Sequence, residues 1–136
     1  MKLQYLIVFL FSFTVFSQQN TVKDSFDLYK ENRQYVKALD YANKRIAFYL
    51  KKEDYTNYIN QVNRKYKLLA NDVKDLKRAY ELILDALNKT NHKISEYEQA
   101  KLLFNLSNIN FKLKKYPQVT ENTKKTLKIA IRAKND

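Results

Sequence analysis

Three stretches of this sequence align with one another when shifted by 41 and then by 40 residues, and the aligned columns are chemically consistent. Leu28, Leu69 and Ile109 share one column, Tyr35, Leu76 and Tyr116 a second, Ala38, Ala79 and Val119 a third, and Ile46, Leu87 and Leu127 a fourth. A period of this length is the mark of stacked supersecondary units, each too small to bury its own apolar face and therefore dependent on its neighbours. Within each unit the large residue of the second column would seal a turn between two helices. The small residue three positions later would let the second helix pack closely on the first.

The units read as helices. Apolar residues recur at spacings of three and four, and the chain has no Gly and a single Pro, too little punctuation for many strands. From Pro117 onward, Val119, Thr123, Thr126, Leu127 and Ala130 form one face and Lys124, Lys125, Lys128 and Arg132 largely the other, an amphipathic pattern. The same periodicity predicts helices near 22–31, 35–52, 55–70, 73–89 and 96–113, with the final helix completing three hairpins. Ser95 and Glu98 fit a capping box, and Pro117 suits a first turn, where its missing amide is not needed. Asn71 with Asp72 and the stretch 88–93 are polar enough to be turns.

Ahead of the repeats, Lys2 precedes an apolar run from Leu3 to Phe16 that ends in Val15, Phe16, Ser17 and Gln18, the form of a secretory signal. The run is shorter than the roughly 20 residues needed to span a bilayer core. Residues 1–17 are therefore expected to direct export and be removed after about Ser17, leaving 18–136 as one domain in the periplasm or outside the cell. Retention of the run would instead tether the domain to the membrane.

The composition closes several chemistries. Without Gly there is no phosphate-cradling loop, and with no Cys and a single His92 no zinc or iron-sulfur site can be built from those ligands, so neither metal nor cofactor is expected. His92 lies in an inter-repeat loop with nothing in the sequence to place a nucleophile or an orienting acid beside it, and no catalytic residue is assigned. Acidic pairs such as Asp24 with Asp27 or Glu81 with Asp85 have Lys or Arg within a helical turn or so, as on ordinary solvated faces. The sequons at Asn88 and Asn105 occur at the frequency chance allows. The formal net charge of +12 comes from Lys and Arg scattered among Asp and Glu, not from one basic stripe, so nucleic acid is not an expected partner.

Taken together these residues resemble the tetratricopeptide repeat family, in a long-period form. Asn105 to Tyr116 is similar to that family's first helix and turn, with Ser107 where Gly is usual. Leu76, Ala79, Ile83 and Ala86 occupy second-helix positions in the central copy, as do Tyr35, Ala38 and Ala42 in the first. The period is about 40 instead of 34, and the usual Trp is missing.

The resemblance implies an all-α, right-handed solenoid of three antiparallel hairpins, at about 22–52, 55–90 and 95–134. It implies a protein-binding scaffold in which the first helix of each hairpin lines a groove. Register then assigns Lys23, Asp27 and Lys30 to that groove, followed by Gln61, Arg64 and Asn71, and by Lys101, Asn108, Phe111 and Lys112. Such a lining suits an extended peptide or protein segment with acidic side chains. Two other roles remain open at this stage: the sensory end of a longer membrane-bound regulator with a helix-turn-helix domain, and a basic protein held at a membrane surface. The last helix carries Leu127, Ile129, Ala130 and Ile131 on more than one side, which leaves three readings open: a further helix beyond Asp136, stacking on another molecule such as a second copy, or fraying of the helix.

Overall fold

The structure, a computed structural model, describes residues 24–135, with side chains through Arg132. The proposed signal, residues 1–17, and Lys23 lie outside the described residues. Among the described residues there are six α-helices and no strand: α1 Ser25–Glu31, α2 Tyr35–Lys51, α3 Tyr55–Lys67, α4 Leu76–Lys89, α5 Glu96–Lys112 and α6 Tyr116–Asn135. The second, fourth and sixth begin at Tyr35, Leu76 and Tyr116, the three members of one sequence column.

One boundary departs from expectation. The helix expected from residue 73 starts at Leu76, because α3 continues through Leu68–Val73 as a π-helical turn. Asn71 and Asp72 lie inside that turn and not in a loop. The wider winding closes with the Asp75 amide donating to the Leu69 carbonyl at 2.9 Å.

Acidic and hydroxyl side chains start four of the helices. The carboxylates of Asp24, Asp54 and Asp75 accept backbone amides at the heads of α1, α3 and α4. Ser95 and Glu98 form the expected capping box on α5. The helix ends show how a chain without glycine makes tight turns. Arg33, Glu53, Lys74, His92 and Lys114 all take left-handed φ, between 55° and 62°. Behind Arg33 the Gln34 amide bonds the Tyr29 carbonyl at 2.8 Å, and behind Lys114 the Lys115 amide bonds the Asn110 carbonyl at 2.8 Å. This is the six-to-one closure for which glycine is usually selected. Arg33, Lys74 and Lys114 recur at the period of the repeat, so the turn is repeated along with the helices.

Packing follows chain order, each helix lying against the next, with α3 also touching α5. The small residues Ala38, Ala42, Ala79 and Ala86 are completely buried, which lets α2 and α4 approach their neighbours closely. One apolar core joins Phe26 of α1, Leu39 of α2, Tyr58, Ile59, Val62 and Tyr66 of α3, Leu68 and Leu69 of the π turn, Ile83 of α4, and Leu102, Leu106 and Ile109 of α5. Tyr58, which has no place in the repeat columns, is deep in this core because α3 has neighbours on several sides.

The final helix faces its neighbour differently from the expectation. Val119, Asn122, Thr126 and Ile129 turn inward, while Leu127 and Ala130 face solvent. The inward residues are spaced at three, seven and ten, a stripe set by what α5 offers: the Ser107 hydroxyl meets Thr123 Oγ1 at 2.9 Å and the Val119 carbonyl at 3.3 Å.

Candidate functional site

The first helices of the hairpins are linked to one another by polar contacts between residues about one repeat apart. Arg64 of α3 donates to Asp24 at 2.6 Å and to Asp27 at 3.0 Å, and its guanidinium lies 4.5 Å from the centre of the Phe26 ring. Lys30 pairs with Asp72 at 3.4 Å. Between α3 and α5, the Asn105 amide donates to Asn63 Oδ1 at 2.7 Å, and Lys112 Nζ donates to Asn71 Oδ1 at 3.1 Å. Burial raises the pKa of the Asp24 carboxyl. Hydrogen bonds from Arg64 and the Phe26 amide, with the charge of Arg64, outweigh it and hold the group below its ordinary value.

These contacts divide the candidate groove in two. At the α1 end the charges are matched internally: Arg64 is spent on Asp24 and Asp27, and Lys30 on Asp72. Gln61, expected to face outward, is only 7% exposed and belongs to the interior, because α3 is packed around most of its circumference. At the α5 end the face is open. A cleft of about 390 Å³ lies between the end of α3 and α5, lined by Tyr66, Lys67, Asn71, Phe104, Asn105, Asn108, Phe111 and Lys112. Asn71, Asn108, Phe111 and Lys112 of the expected groove meet here; Lys101 is exposed on the same helix, one turn before Phe104, outside the cleft.

The cleft brings exposed aromatic rings, side-chain amides and cations together. Phe104 and Phe111 are 57% and 62% exposed, seven residues apart and therefore on one face of α5. Asn108, between them, hydrogen-bonds the Tyr66 hydroxyl, whose pKa is raised by burial and only partly restored by that bond. The Phe111 ring meets Tyr116 edge to face with centroids 6.2 Å apart. Lys67 and Lys112 place positive charge at the rim. Phe104, Tyr66 and Lys67 were not singled out from the sequence, although the seven-residue spacing of Phe104 from Phe111 carried the signal for the first of them.

A second cleft, of about 360 Å³, includes His92, Thr90, Asn91, Glu96 and Arg132. Its groups are mostly committed: Thr90 Oγ1 donates to the Ala86 carbonyl at 2.7 Å, and Arg132 pairs with Glu96 at 3.0 Å. His92 itself occupies a left-handed turn position and is exposed. Among the described residues no group of three or more His, Asp and Glu is placed to hold a metal ion, and no helix is long and apolar enough to cross a membrane. In comparisons with known proteins, the chain matches no family model, no curated protein and no solved structure.

Proposed function

We propose that the chain is a non-catalytic, exported scaffold, a solenoid of three hairpins akin to the tetratricopeptide class, that holds an extended peptide segment of a partner protein across α3 and α5. The observation that carries this reading is the pair of outward phenylalanines, Phe104 and Phe111, on one face of α5 beside Tyr66. Large apolar rings left in water on a single helix face, ringed by amides and cations, fit a binding surface better than a solvated one. Alternate apolar side chains of an extended peptide would sit against the rings. The Asn71, Asn105 and Asn108 amides could meet its backbone, and Lys67 and Lys112 favour acidic residues at the edge. The solenoid arrangement is supported by the repetition of turns, helix starts and buried alanines at the sequence period. Export is supported by the Lys2 to Ser17 segment alone.

The test is to pan a random-peptide display library against the immobilised protein and, in parallel, against the Phe104→Ser, Phe111→Ser double variant. Enriched peptides should combine apolar and acidic residues, bind the double variant at least about tenfold more weakly, and lose affinity as salt rises. Peptides that bind both proteins equally, or no enrichment at all, would overturn the assignment. Because both rings are exposed, the double variant should keep its helical circular dichroism spectrum.

A further inference from the structure

The two ends of the repeat array are bare at different columns, and the columns are complementary. In the first column, Leu69 and Ile109 are completely buried, while Leu28 of the first copy is 49% exposed. In the second and fourth columns, Tyr35, Leu76, Ile46 and Leu87 pack against the core, while Tyr116 and Leu127 of the last copy are 55% and 59% exposed. The internal junctions explain the pattern. The π turn carrying Leu69 lies against α2, and α5, carrying Ile109, lies against α4. Each junction thus covers the first-column residue of the later copy and the second- and fourth-column residues of the earlier one. Among the described residues, Leu28 has no earlier copy against it and α6 no later one. A soluble array usually ends in a polar outer face. Here Ile131, one turn beyond Leu127, extends the apolar stripe.

We propose that copies of this chain stack head to tail, the α1 face around Leu28 of one copy docking on the Tyr116, Leu127 and Ile131 face of the next, in the geometry of the internal junctions. The two surfaces are different, so the contact is heterologous and extends beyond a dimer unless it closes into a ring. The inference rests on the repeat reading but not on the peptide cleft, which is lined by other residues and meets this face only where Tyr116 touches Phe111. The strong positive charge of every copy, formally +12 for the full chain, opposes association, and α6 flanks its apolar stripe with Lys124 and Lys128. Added salt screens that repulsion. Stacking should therefore strengthen with ionic strength, the reverse of acidic-peptide capture.

Sedimentation velocity of the purified protein, as its host processes it, tests this over a range of concentration and salt. The expected result is a sedimentation coefficient that rises with both. Leu28→Glu and Leu127→Glu, each at an exposed position that should spare the fold, are expected to leave monomers alone. Mixed together they should form a complex that stops at two chains, since each retains the face the other has lost; Ile131→Glu replaces Leu127→Glu should the latter unfold. Monomers at every concentration and salt would overturn the proposal, the result expected if residues before Asp24 or a helix beyond Asp136 cover α6. Loss of assembly in Leu127→Glu but not in Leu28→Glu would also overturn it, in favour of two α6 faces meeting.

Discussion

Replacing Arg64 by Glu should release α1 from the rest of the molecule. Read as a groove residue, Arg64 would tolerate reversal of charge; in the structure it is a tie. Its side chain is 26% exposed, and its guanidinium donates to Asp24 at 2.6 Å and Asp27 at 3.0 Å while lying over Phe26. A charge-assisted bond to the less exposed Asp24 contributes about 1.5 kcal/mol once solvent screening is allowed for. The more exposed Asp27 adds about 0.5 kcal/mol. Stacking on Phe26 adds roughly a further 0.5–1 kcal/mol. The loss is therefore about 2.5–3 kcal/mol before the repulsion among three neighbouring carboxylates is added.

What holds α1 otherwise is chiefly Phe26, the single buried residue of this seven-residue helix, and its burial supplies roughly 2 kcal/mol. The two quantities are comparable, so α1 should undock locally while the core from α2 to α5 stays folded. Amide hydrogen exchange resolved over Ser25–Glu31 should accelerate on the order of 100-fold, with little change in α4. Lys101→Glu, at an exposed position of the same face, should shift stability by no more than about 0.5 kcal/mol.

The tie also has a pH signature. The pKa of Asp24 is depressed in the folded state, so its contribution is present above the unfolded value of about 3.9 and is lost as pH falls through the lower folded value. Wild-type α1 should loosen across that acidic window, and the variant, already loosened, should show no such step. Unchanged protection of α1 in Arg64→Glu would refute the reasoning, because it would mean that Phe26 alone holds the helix.

Two further outcomes follow from packing and backbone geometry. Ala79 is completely buried where α4 meets its neighbours, so Ala79→Asp should destabilise the protein by a few kcal/mol, roughly, read from urea unfolding followed by circular dichroism. Wild-type stability in that variant would mean the repeat register is wrong. Lys74 holds φ at 62°, a conformation that costs a side-chain-bearing residue about 1–2 kcal/mol and glycine almost nothing. Allowing for the extra freedom glycine gives the unfolded chain, Lys74→Gly should stabilise by about 0.5–1 kcal/mol, raising the urea midpoint.

What the sequence determined by itself is the part of the fold written in periodicity. Spacings of three and four make helices, and the recurrence near 40 residues places Tyr35, Leu76 and Tyr116 at the starts of equivalent helices with a buried small residue three positions on in the first two copies. These are local rules, obeyed by each segment whatever surrounds it. The proposed binding face was legible mainly where one helix carried it. Asn108, Phe111 and Lys112 are neighbours on α5, and Asn71 reaches them from the facing π turn, so their register sufficed.

Tertiary structure decided the rest. Gln61 is periodic with exposed residues yet buried, because α3 has neighbours on several sides, and a helical wheel knows nothing of how many partners a helix meets. Arg64 and Lys30 carry the charge of groove residues, but acids about one repeat away neutralise them. Leu28 and Leu127 belong to the same columns as residues completely or half buried elsewhere in the chain. Their exposure comes from position in the first and last of the described copies, since burial belongs to the junction between copies and not to the residue.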